Sequence, residues 1–579
     1  MRNKNSGITL VALIVTIVLM LIIAGVAIFL AFRDDGILKM AQNASETTKQ
    51  KMAEERLIEL VAEYQTDKYV PNSKSSLEGF LNEREYKTSS SNGRTTVVVD
   101  GYIFEVDEET YAIEKKEIMI GEDETPKYIG GQYNEEKGIN TPKIVNGLIP
   151  VTINEDGTPE VVLNPNTDDW YSYKPDDKRW ANAITRDSSG EITGYFVWIP
   201  RYGYAITSGY HEGGAEAGNI NIKFLKDKTN ETSDEMILED NTIGFNNWNI
   251  HPAFASDVTK GGWDKELEGF WVAKFPAGYA GGNNGVKAVS SGITYSTVTG
   301  SKNFYGKVNE KTEMVYPVFL PETYAYNYIS IGDSFELAQN LTKNGNIYGL
   351  LGNANSHQMK NSEWGAVAYL TQSEYGINEN LYINNISLHN SPDTIYAITG
   401  WVGEGTDSRS NGATVKSLND RTENSANIWY SNKGQNGSST GNVYGIYDLS
   451  GCVWERVSGY ILNDAGQANR TNYGETLVIE HSDKLVTVYN YDVSDTQIAN
   501  YEANDERYGD AMYETSSKGR DTNTYAWYSD SADFPYLNIP FIIRGGNYTS
   551  KSEAGIFAFD CTVGYGATTY GFRAVLCPE

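Results

Sequence analysis

The stretch NVYGIYDLSGCVWERVSGY at residues 442–460 decides the expected fold, together with IRGGNY at 543–548 and GFRAVL at 571–576. A large aromatic residue such as Trp454 is expected in the core. The adjacent glycines Gly545 and Gly546 let backbone segments approach each other closely. The residues predicted to form the framework of the fold are Trp454, Arg544, Gly545, Gly546, Phe572 and Arg573.

Residues 442–460 resemble the signature N-x-x-G-L-Y-D-x-x-G-N-V-W-E-W of the formylglycine-generating enzyme (sulfatase-modifying factor) family. IRGGNY and GFRAVL are similar to that family's closing R-G-G-S-W and G-F-R motifs. Earlier pieces follow the family's order, namely FVWIP at 196–200, GFWVAKF at 269–275 and SEWGA at 362–366. The ordered match extends over roughly 400 residues. It implies a loop-rich variant of the C-type lectin fold for residues 146–579.

The enzymes of that family place a copper-binding cysteine pair, five residues apart, shortly after the R-G-G motif. The corresponding stretch here, NYTSKSEAGIFAFDCTV, contains Cys561 alone; the other cysteines are Cys452 and Cys577. A reactive thiolate needs a base, a metal or a second thiol beside it. The sequence therefore predicts a protein that is not an enzyme. A copper-dependent formylglycine-generating oxidoreductase is the remote alternative.

No cofactor is assigned with certainty, and Ca²⁺ is the one candidate. In the family, the G-N-V-W-E segment supplies an Asn and a Glu to a structural Ca²⁺. Glu455 is retained here, but Cys452 replaces the Asn, and sulfur is a poor ligand for a hard cation. Glu455 is therefore a weak Ca²⁺ candidate.

The segment DCTVGYGATTY at 560–570 has small, polar or Tyr residues without a period, so packing does not dictate them. It resembles the variable segment of proteins diversified by retroelements, whose C-terminal lectin-like domain is mutated at adenine-rich codons. Tyr gives rigid contact area, while Thr, Ser and Asp give adaptable hydrogen bonds. An ordinary surface loop is the alternative. The predicted ligand-binding residues are Tyr548, Thr549, Ser550, Asp560, Thr562, Val563, Tyr565, Thr568, Thr569 and Tyr570.

Residues 8–32 contain no charged residue and, as a helix, would cover about 37 Å, enough to cross a bilayer. Arg2 and Lys4 precede this run, which by the positive-inside rule places the N-terminus in the cytoplasm and the rest outside. A cleaved secretory signal is the competing interpretation, but its apolar core is usually only about 7–15 residues long.

KNSGITLVAL at 4–13 resembles the leader and first turns of type IV prepilins and pseudopilins. The resemblance implies cleavage after Gly7 by a prepilin peptidase and methylation of Ile8. The family's Glu five residues after the cut is replaced by Ala12. This departure resembles a tip-type minor subunit or a protein that stays in the membrane. Other pilin subunits are candidate partners.

The remaining pattern divides the chain into domains. Leu57, Leu60, Val61 and Tyr64 form one apolar helical face. TTVVVDGYIFEV, with Asp100-Gly101 at its centre, predicts a β-hairpin, and TYAIEKKE predicts a third strand. The expected domains are a leader (1–7), a transmembrane helix (8–32), a pilin-like helix with a small sheet (33–120), a linker (121–145) and a lectin-like domain (146–579).

Composition supports a binding role outside the cell. The chain has 41 Tyr and 56 Gly against 18 Phe, and its formal net charge is −29. This charge offers no basic surface for nucleic acid. Tyr and Gly together are typical of loop-rich binding surfaces.

The expected fold class is α+β, with an N-terminal transmembrane pilin-like helix and small antiparallel sheet before a large loop-rich domain. The predicted function is that of a non-enzymatic adhesin or receptor that binds an unknown protein or glycan. It is expected at the bacterial cytoplasmic membrane, single-pass, or at a pilus tip. A structural minor pseudopilin of a secretion or pilus system is the alternative.

Overall fold

The computed structural model describes residues 37–67, 76–115 and 130–578, apart from gaps at 85, 87, 92, 100–101, 166–168, 233–243, 280–293, 299–300, 309–310, 315, 344–345, 351–353, 392–393, 404, 406–413, 416–426, 463–470, 480–482 and 518–524. The predicted leader, its Gly7–Ile8 cleavage site and the predicted transmembrane helix at 8–32 lie outside the described residues.

The predicted fold class requires a correction. Within the described part of the chain, no helix is both long and apolar enough to cross a membrane. The longest described helix has 31 residues but contains charged ones along its length, such as Glu54, Glu55 and Arg56. The fold class that begins with a transmembrane helix is therefore wrong for the described structure, which is α+β and consists mostly of sheets.

The chain divides into two compact units, Met1–Ile118 with Arg186–Glu191, and Met119–Thr185 with Ile192–Glu579. The smaller unit contains a four-stranded antiparallel sheet in the order β1-β2-β3-β4. Its described elements are α1 (Ile37–Asp67), α2 (Leu77–Asn82), β1 (Thr88–Ser91), β2 (Arg94–Val99), β3 (Tyr102–Asp107) and β4 (Ile113–Lys115).

The core of the smaller unit confirms the local sequence patterns. Leu57, Val61 and Tyr64 of α1 are buried in one cluster with apolar residues of the sheet, and Leu60 packs against it. The predicted hairpin is confirmed, because β2 and β3 pair from Val99 opposite Tyr102 outward. The predicted third strand is β4, which pairs with β3.

The larger unit contains few helices and many short strands. Its helices are α3 (Ile331–Gln339), α4 (Asn361–Thr371), α5 (Thr471–Ile479) and α6 (Gln497–Glu502). Its strands are β5 (Tyr133–Asn134), β6 (Ile139–Asn140), β7 (Ile149–Ile153), β8 (Pro159–Val161), β9 (Asn182–Arg186), β10 (Ile192–Pro200), β11 (Tyr202–Ile206), β12 (Ile220–Phe224), β13 (Asn249–Ile250), β14 (Gly269–Ala273), β15 (Gly278–Tyr279), β16 (Thr294–Val298), β17 (Ser301–Val308), β18 (Lys311–Met314), β19 (Pro317–Val318), β20 (Ala354–Gln358), β21 (Ser387–Ser391), β22 (Thr394–Ala397), β23 (Trp401–Val402), β24 (Thr414–Val415), β25 (Asn427–Ile428), β26 (Trp454–Ile461), β27 (Thr487–Tyr489), β28 (Phe541–Arg544), β29 (Phe559–Thr562), β30 (Tyr570–Phe572) and β31 (Ala574–Pro578).

Two sheets organise the larger unit. A seven-stranded sheet has the order β20-β31-β14-β10-β9-β7-β8, and a five-stranded sheet has the order β27-β26-β28-β29 with β30 paired to β26. The GFRAVL stretch takes part in both, because β30 runs parallel to β26 while β31 lies between β20 and β14. One short segment of chain therefore joins the two sheets.

The core of the larger unit is aromatic. Stacked and edge-on ring pairs fill it, for example Trp170 with Trp271 and Trp198 with Trp271. Part of the predicted linker also packs there: Ile139 and Val145 are fully buried in this core, and Trp271 Nε1 donates to the carbonyl oxygen of Lys143 at 2.7 Å. Residues 130–145 thus belong to this unit, because their apolar side chains complete the aromatic core.

Candidate ligand-binding face

Arg573, one of the predicted framework residues, forms a buried ion pair with Glu455. Arg573 donates from Nε and Nη2 to the two carboxylate oxygens of Glu455, at 2.9 and 2.5 Å, and both side chains are buried. Burial raises the pKa of the Glu455 carboxyl, and the neighbouring Arg573 opposes that rise. Arg573 lies between β30 and β31, where the chain passes from one sheet to the other. The ion pair therefore links β26 to the junction of the two sheets.

Glu455 is the predicted weak Ca²⁺ candidate. Both of its carboxylate oxygens accept hydrogen bonds from the Arg573 guanidinium group. Across the described ranges, no group of three or more His, Cys, Asp or Glu side chains could hold a metal ion. Glu455 therefore takes part in a buried ion pair, and its assignment as a weak Ca²⁺ candidate stays a prediction.

The other framework predictions are confirmed. Arg544 is fully buried and uses every guanidinium nitrogen, donating to Asn361, Asp510, Ala511 and Ala558 over 2.7–3.1 Å. At Gly546, with φ of +78°, an added Cβ would lie 2.5 Å from the Cβ of Ala554. The close backbone approach that the paired glycines predict is therefore present.

The loop of residues 563–569, which connects β29 to β30, is held mainly through its own backbone. Its carbonyl oxygens accept hydrogen bonds from groups outside the loop: Gly564 from Ile331 N at 3.0 Å, Ala567 from Tyr328 N at 3.1 Å, Thr568 from Asn327 Nδ2 at 3.2 Å and Thr569 from Trp454 N at 2.8 Å. Peptide carbonyls are the same in every residue, so this attachment does not require particular side chains.

Two glycines bring the loop close to its support. Gly564 has φ of +93°, and a Cβ there would lie 2.8 Å from Cγ2 of Ile331. At Gly566, a Cβ would lie 2.4 Å from the carbonyl oxygen of Tyr328. Neither glycine was among the predicted ligand-binding residues, and both act as fixed points between positions whose side chains project outward.

The predicted ligand-binding residues differ in exposure. Thr549 and Tyr565 are exposed, the latter to 43%. Six others are partly exposed: Ser550, Asp560, Val563, Thr568, Thr569 and Tyr570.

Tyr548 and Thr562 are buried and offer little surface to a ligand. The Tyr548 ring belongs to a small core cluster with Cys452 and Val453. Thr562 Oγ1 instead accepts a hydrogen bond from the backbone N–H of Gly564 at 3.1 Å, at the start of the loop. Both side chains therefore support the loop from within.

An exposed aromatic cluster lies on this loop. The rings of Tyr565 and Tyr570 are 5.7 Å apart and close to perpendicular, and the ring of Tyr473, on α5, lies 6.4 Å from Tyr565. Tyr473 is 44% exposed. We call the surface formed by loop 563–569, Tyr570 and Tyr473 the tyrosine face. Tyr473 was not predicted, because its stretch of sequence has no pattern that links it to residues almost a hundred positions later.

A buried arginine lies behind the tyrosine face. Arg456, on β26, is fully buried, and its Nη2 donates to the carbonyl oxygen of Tyr565. The centre of its guanidinium group is 5.0 Å from the ring centroid of Tyr570. Its Nε and Nη1 are buried and have no hydrogen-bond partner among the residues that the structure describes. Burial lowers the pKa of Arg456 to about 10, so the group remains charged at neutral pH.

The cysteines lack the features of reactive thiols. All three are free. Burial raises the pKa of Cys452 and Cys561 and raises that of Cys577 to about 12. The thiolate is the nucleophile and the metal ligand, so a raised thiol pKa disfavours reactivity; Cys452 and Cys577 are also buried, whereas Cys561 is partly exposed.

No protein-family model matches this chain, and no curated protein is significantly similar to it. The resemblances to formylglycine-generating enzymes, prepilins and retroelement-diversified proteins stay predictions.

Proposed function

We propose that this protein is a non-enzymatic binding protein that recognises a protein or glycan ligand through its tyrosine face. The observation that carries the proposal is the attachment of loop 563–569 through backbone carbonyls while its side chains remain wholly or partly exposed at Val563, Tyr565, Thr568 and Thr569. A loop built in this way keeps its position when its side chains change. That property suits a surface whose specificity differs between related chains, as a retroelement-diversified protein requires.

The composition of the face is also suited to recognition. Tyrosine rings offer a large contact area with few rotatable bonds, and neighbouring threonines offer hydrogen bonds that adapt to different ligands. Exposed aromatic residues that lie together are also the kind of residues that dominate binding energy at protein interfaces.

An enzymatic role has less support. The raised pKa values keep the three thiols protonated, and Cys561 lies on β29 without a second cysteine bonded to it. The structural pseudopilin remains the alternative function. The membrane location and the processing at Gly7 stay predictions, because they concern residues outside the described ranges.

Binding of the full chain to an array of glycans and surface proteins would test the proposal. The informative variant is Tyr565→Ala with Tyr570→Ala, and the matched control is Phe245→Ala, which removes an aromatic ring that is 51% exposed outside the face. We expect selective binding that the control retains and the double variant loses. Binding that survives in the double variant, or no selective binding at all, would count against the proposal and favour the structural alternative.

A further inference from the structure

Arg456 differs from the other buried arginines of the framework. Arg544 and Arg573 each donate four hydrogen bonds to described protein groups. Arg456 has one, to the carbonyl oxygen of Tyr565, and its Nε and Nη1 are left without a partner among the described residues. Buried charged groups are normally fully hydrogen-bonded, because burial without partners destabilises the fold.

The surroundings of Arg456 show where a partner could come from. The tyrosine face covers it: Tyr570 lies against its guanidinium group, and Tyr565, which accepts its one hydrogen bond, is 43% exposed. Tyr565 lies between Gly564 and Gly566, whose backbones are packed tightly against residues 328–331. The backbone there is held in place, so entry of a ligand group to Arg456 would depend on movement of side chains such as Tyr570, whose ring centroid lies 5.0 Å from the guanidinium group.

The charges around Arg456 define the class of group that fits. A guanidinium group binds planar oxyanions through several N–H donors. One acidic residue, Asp333 in the first turn of α3, already interacts electrostatically with Arg456, but no hydrogen bond joins the two among the described contacts. The Asp333 carboxylate instead accepts from Ser330 Oγ at 2.7 Å. Because Asp333 offsets part of the positive charge, a singly charged carboxylate suits this site better than a doubly charged phosphate.

We propose that Arg456 is the charge-recognition residue of the tyrosine face and that it binds a carboxylate group of the ligand. In this arrangement the rings of Tyr565, Tyr570 and Tyr473 contact the ligand beside its carboxylate. The carboxylate belongs to an acidic glycan, whose sugar rings can pack against the tyrosine rings; an acidic protein segment is the other outcome that the test distinguishes. This inference rests on the proposed function and specifies its ligand class.

Arg456→Met separates recognition from a structural role. Methionine fills much of the same volume without leaving a buried charge that lacks partners. If Arg456 serves recognition, the variant should be at least as stable as the parent chain while its binding is lost. If Arg456 serves the fold, the variant should lose stability, as expected when a required buried contact is removed.

The experiment measures binding of the full chain, at a physiological salt concentration, to polygalacturonate, to poly-L-glutamate and to fully methyl-esterified polygalacturonate. The two acidic probes distinguish a glycan from a protein source of the carboxylate, and the ester lacks the charge. Arg179→Met is the matched control, because it removes the same charge from an arginine that pairs with Asp169. Asp333→Asn removes the competing negative charge. Urea unfolding of each variant gives its stability.

We expect polygalacturonate to bind, Arg456→Met to weaken that binding at least about tenfold, and Asp333→Asn to strengthen it severalfold. Binding of poly-L-glutamate alone would overturn the assignment to a glycan. Arg179→Met should bind as the parent chain does, and the methyl-esterified probe should not bind. Equal binding by Arg456→Met and the parent chain would overturn the inference, as would binding of neither acidic probe, or a clear loss of stability in Arg456→Met. Selective binding to neutral glycans or proteins that the variant Tyr565→Ala with Tyr570→Ala loses, but that Arg456→Met retains, would overturn this inference alone. If the full chain shows no selective binding that this double variant loses, the proposed function is overturned as well.

Discussion

The framework strands and the tyrosine face are adjacent in the larger unit but are held together by different kinds of contact. In the framework, particular side chains are required: Glu455 has both oxygens bonded to Arg573, and all guanidinium nitrogens of Arg544 are used. In loop 563–569, backbone carbonyls make the attachments. This difference shows that a fold can hold a loop in position without requiring particular side chains in that loop. Stability should therefore depend on side chains in the first region and mainly on glycines in the second.

The largest expected effect is that of pH on the framework. Burial raises the pKa of Asp448 and Glu514 to about 7 and that of Asp530 to about 8, against about 4 in an unfolded chain. These three groups therefore hold more protons in the folded chain than in the unfolded chain between about pH 4 and pH 8, and their contribution to stability falls as pH rises through this range. Burial lowers the pKa of His251 to about 3 and that of Lys274 well below its usual value, and these two groups contribute the opposite slope. One pKa unit corresponds to about 1.4 kcal/mol, so the combined effect should exceed that of either substitution below.

Urea unfolding at pH 5 to 9 would measure this dependence, and Asp530→Asn is the informative variant. Asp530 Oδ2 accepts from the N–H of Phe557 at 3.0 Å, while Oδ1 has no partner among the described groups. An amide can occupy the same position without a charge, so the slope of stability against pH should flatten. Stability that rises with pH in the parent chain would contradict the expectation.

The next largest effect is that of breaking the central ion pair. Glu455→Ala leaves Arg573 as an unpaired buried charge and should lower the free energy of unfolding by about 4 kcal/mol. The double variant Glu455→Leu with Arg573→Met removes both charges and should lose much less. Asp169→Ala breaks the more exposed pair with Arg179 and should change stability by less than about 1 kcal/mol. Equal losses at the two pairs would show that the framework does not depend on its buried side chains.

The smallest effects are expected in the loop and depend on the position. Gly564→Ala places a Cβ 2.8 Å from Ile331 at a φ of +93° and should cost about 2 kcal/mol. Val563→Thr and Thr569→Ser, close to it on either side, change side chains that are partly exposed and should each stay within about 0.5 kcal/mol. Thermal unfolding of the three variants would compare them. A large loss at Val563 or Thr569 would remove the distinction between the two regions.

Sequence patterns predicted the local elements well, because those depend on neighbours in the chain. The hairpin at β2–β3 and the apolar face of α1 follow from turn chemistry and helical period. The framework positions were also predicted, since Trp454, Arg544 and Arg573 are buried. The pairing of Glu455 with Arg573 was not, because the two residues are far apart in sequence and either could have had another partner.

The candidate site was predicted only in outline. A segment without a period indicated the loop, but burial of Tyr548 and Thr562 depends on cores that assemble from distant segments. Tyr473 and Arg456 joined the site through tertiary contacts with Tyr565. Residues 130–145 were assigned to a linker because they contain Gly, Pro and charge, yet Ile139 and Val145 complete the aromatic core.

The position of β31 has a consequence for how the protein is made. This strand, Ala574–Pro578, lies between β20 and β14 in the seven-stranded sheet. β20 therefore has no partner strand in this sheet until β31 has been synthesised. During synthesis, one edge of the apolar strand β14 stays unpaired while some three hundred further residues are added. Open edges of this kind invite pairing with other chains. Because the seven-stranded sheet is completed late, we expect the nascent larger unit to need chaperones. Truncation before β31 should cause aggregation and should not yield a shortened binding protein.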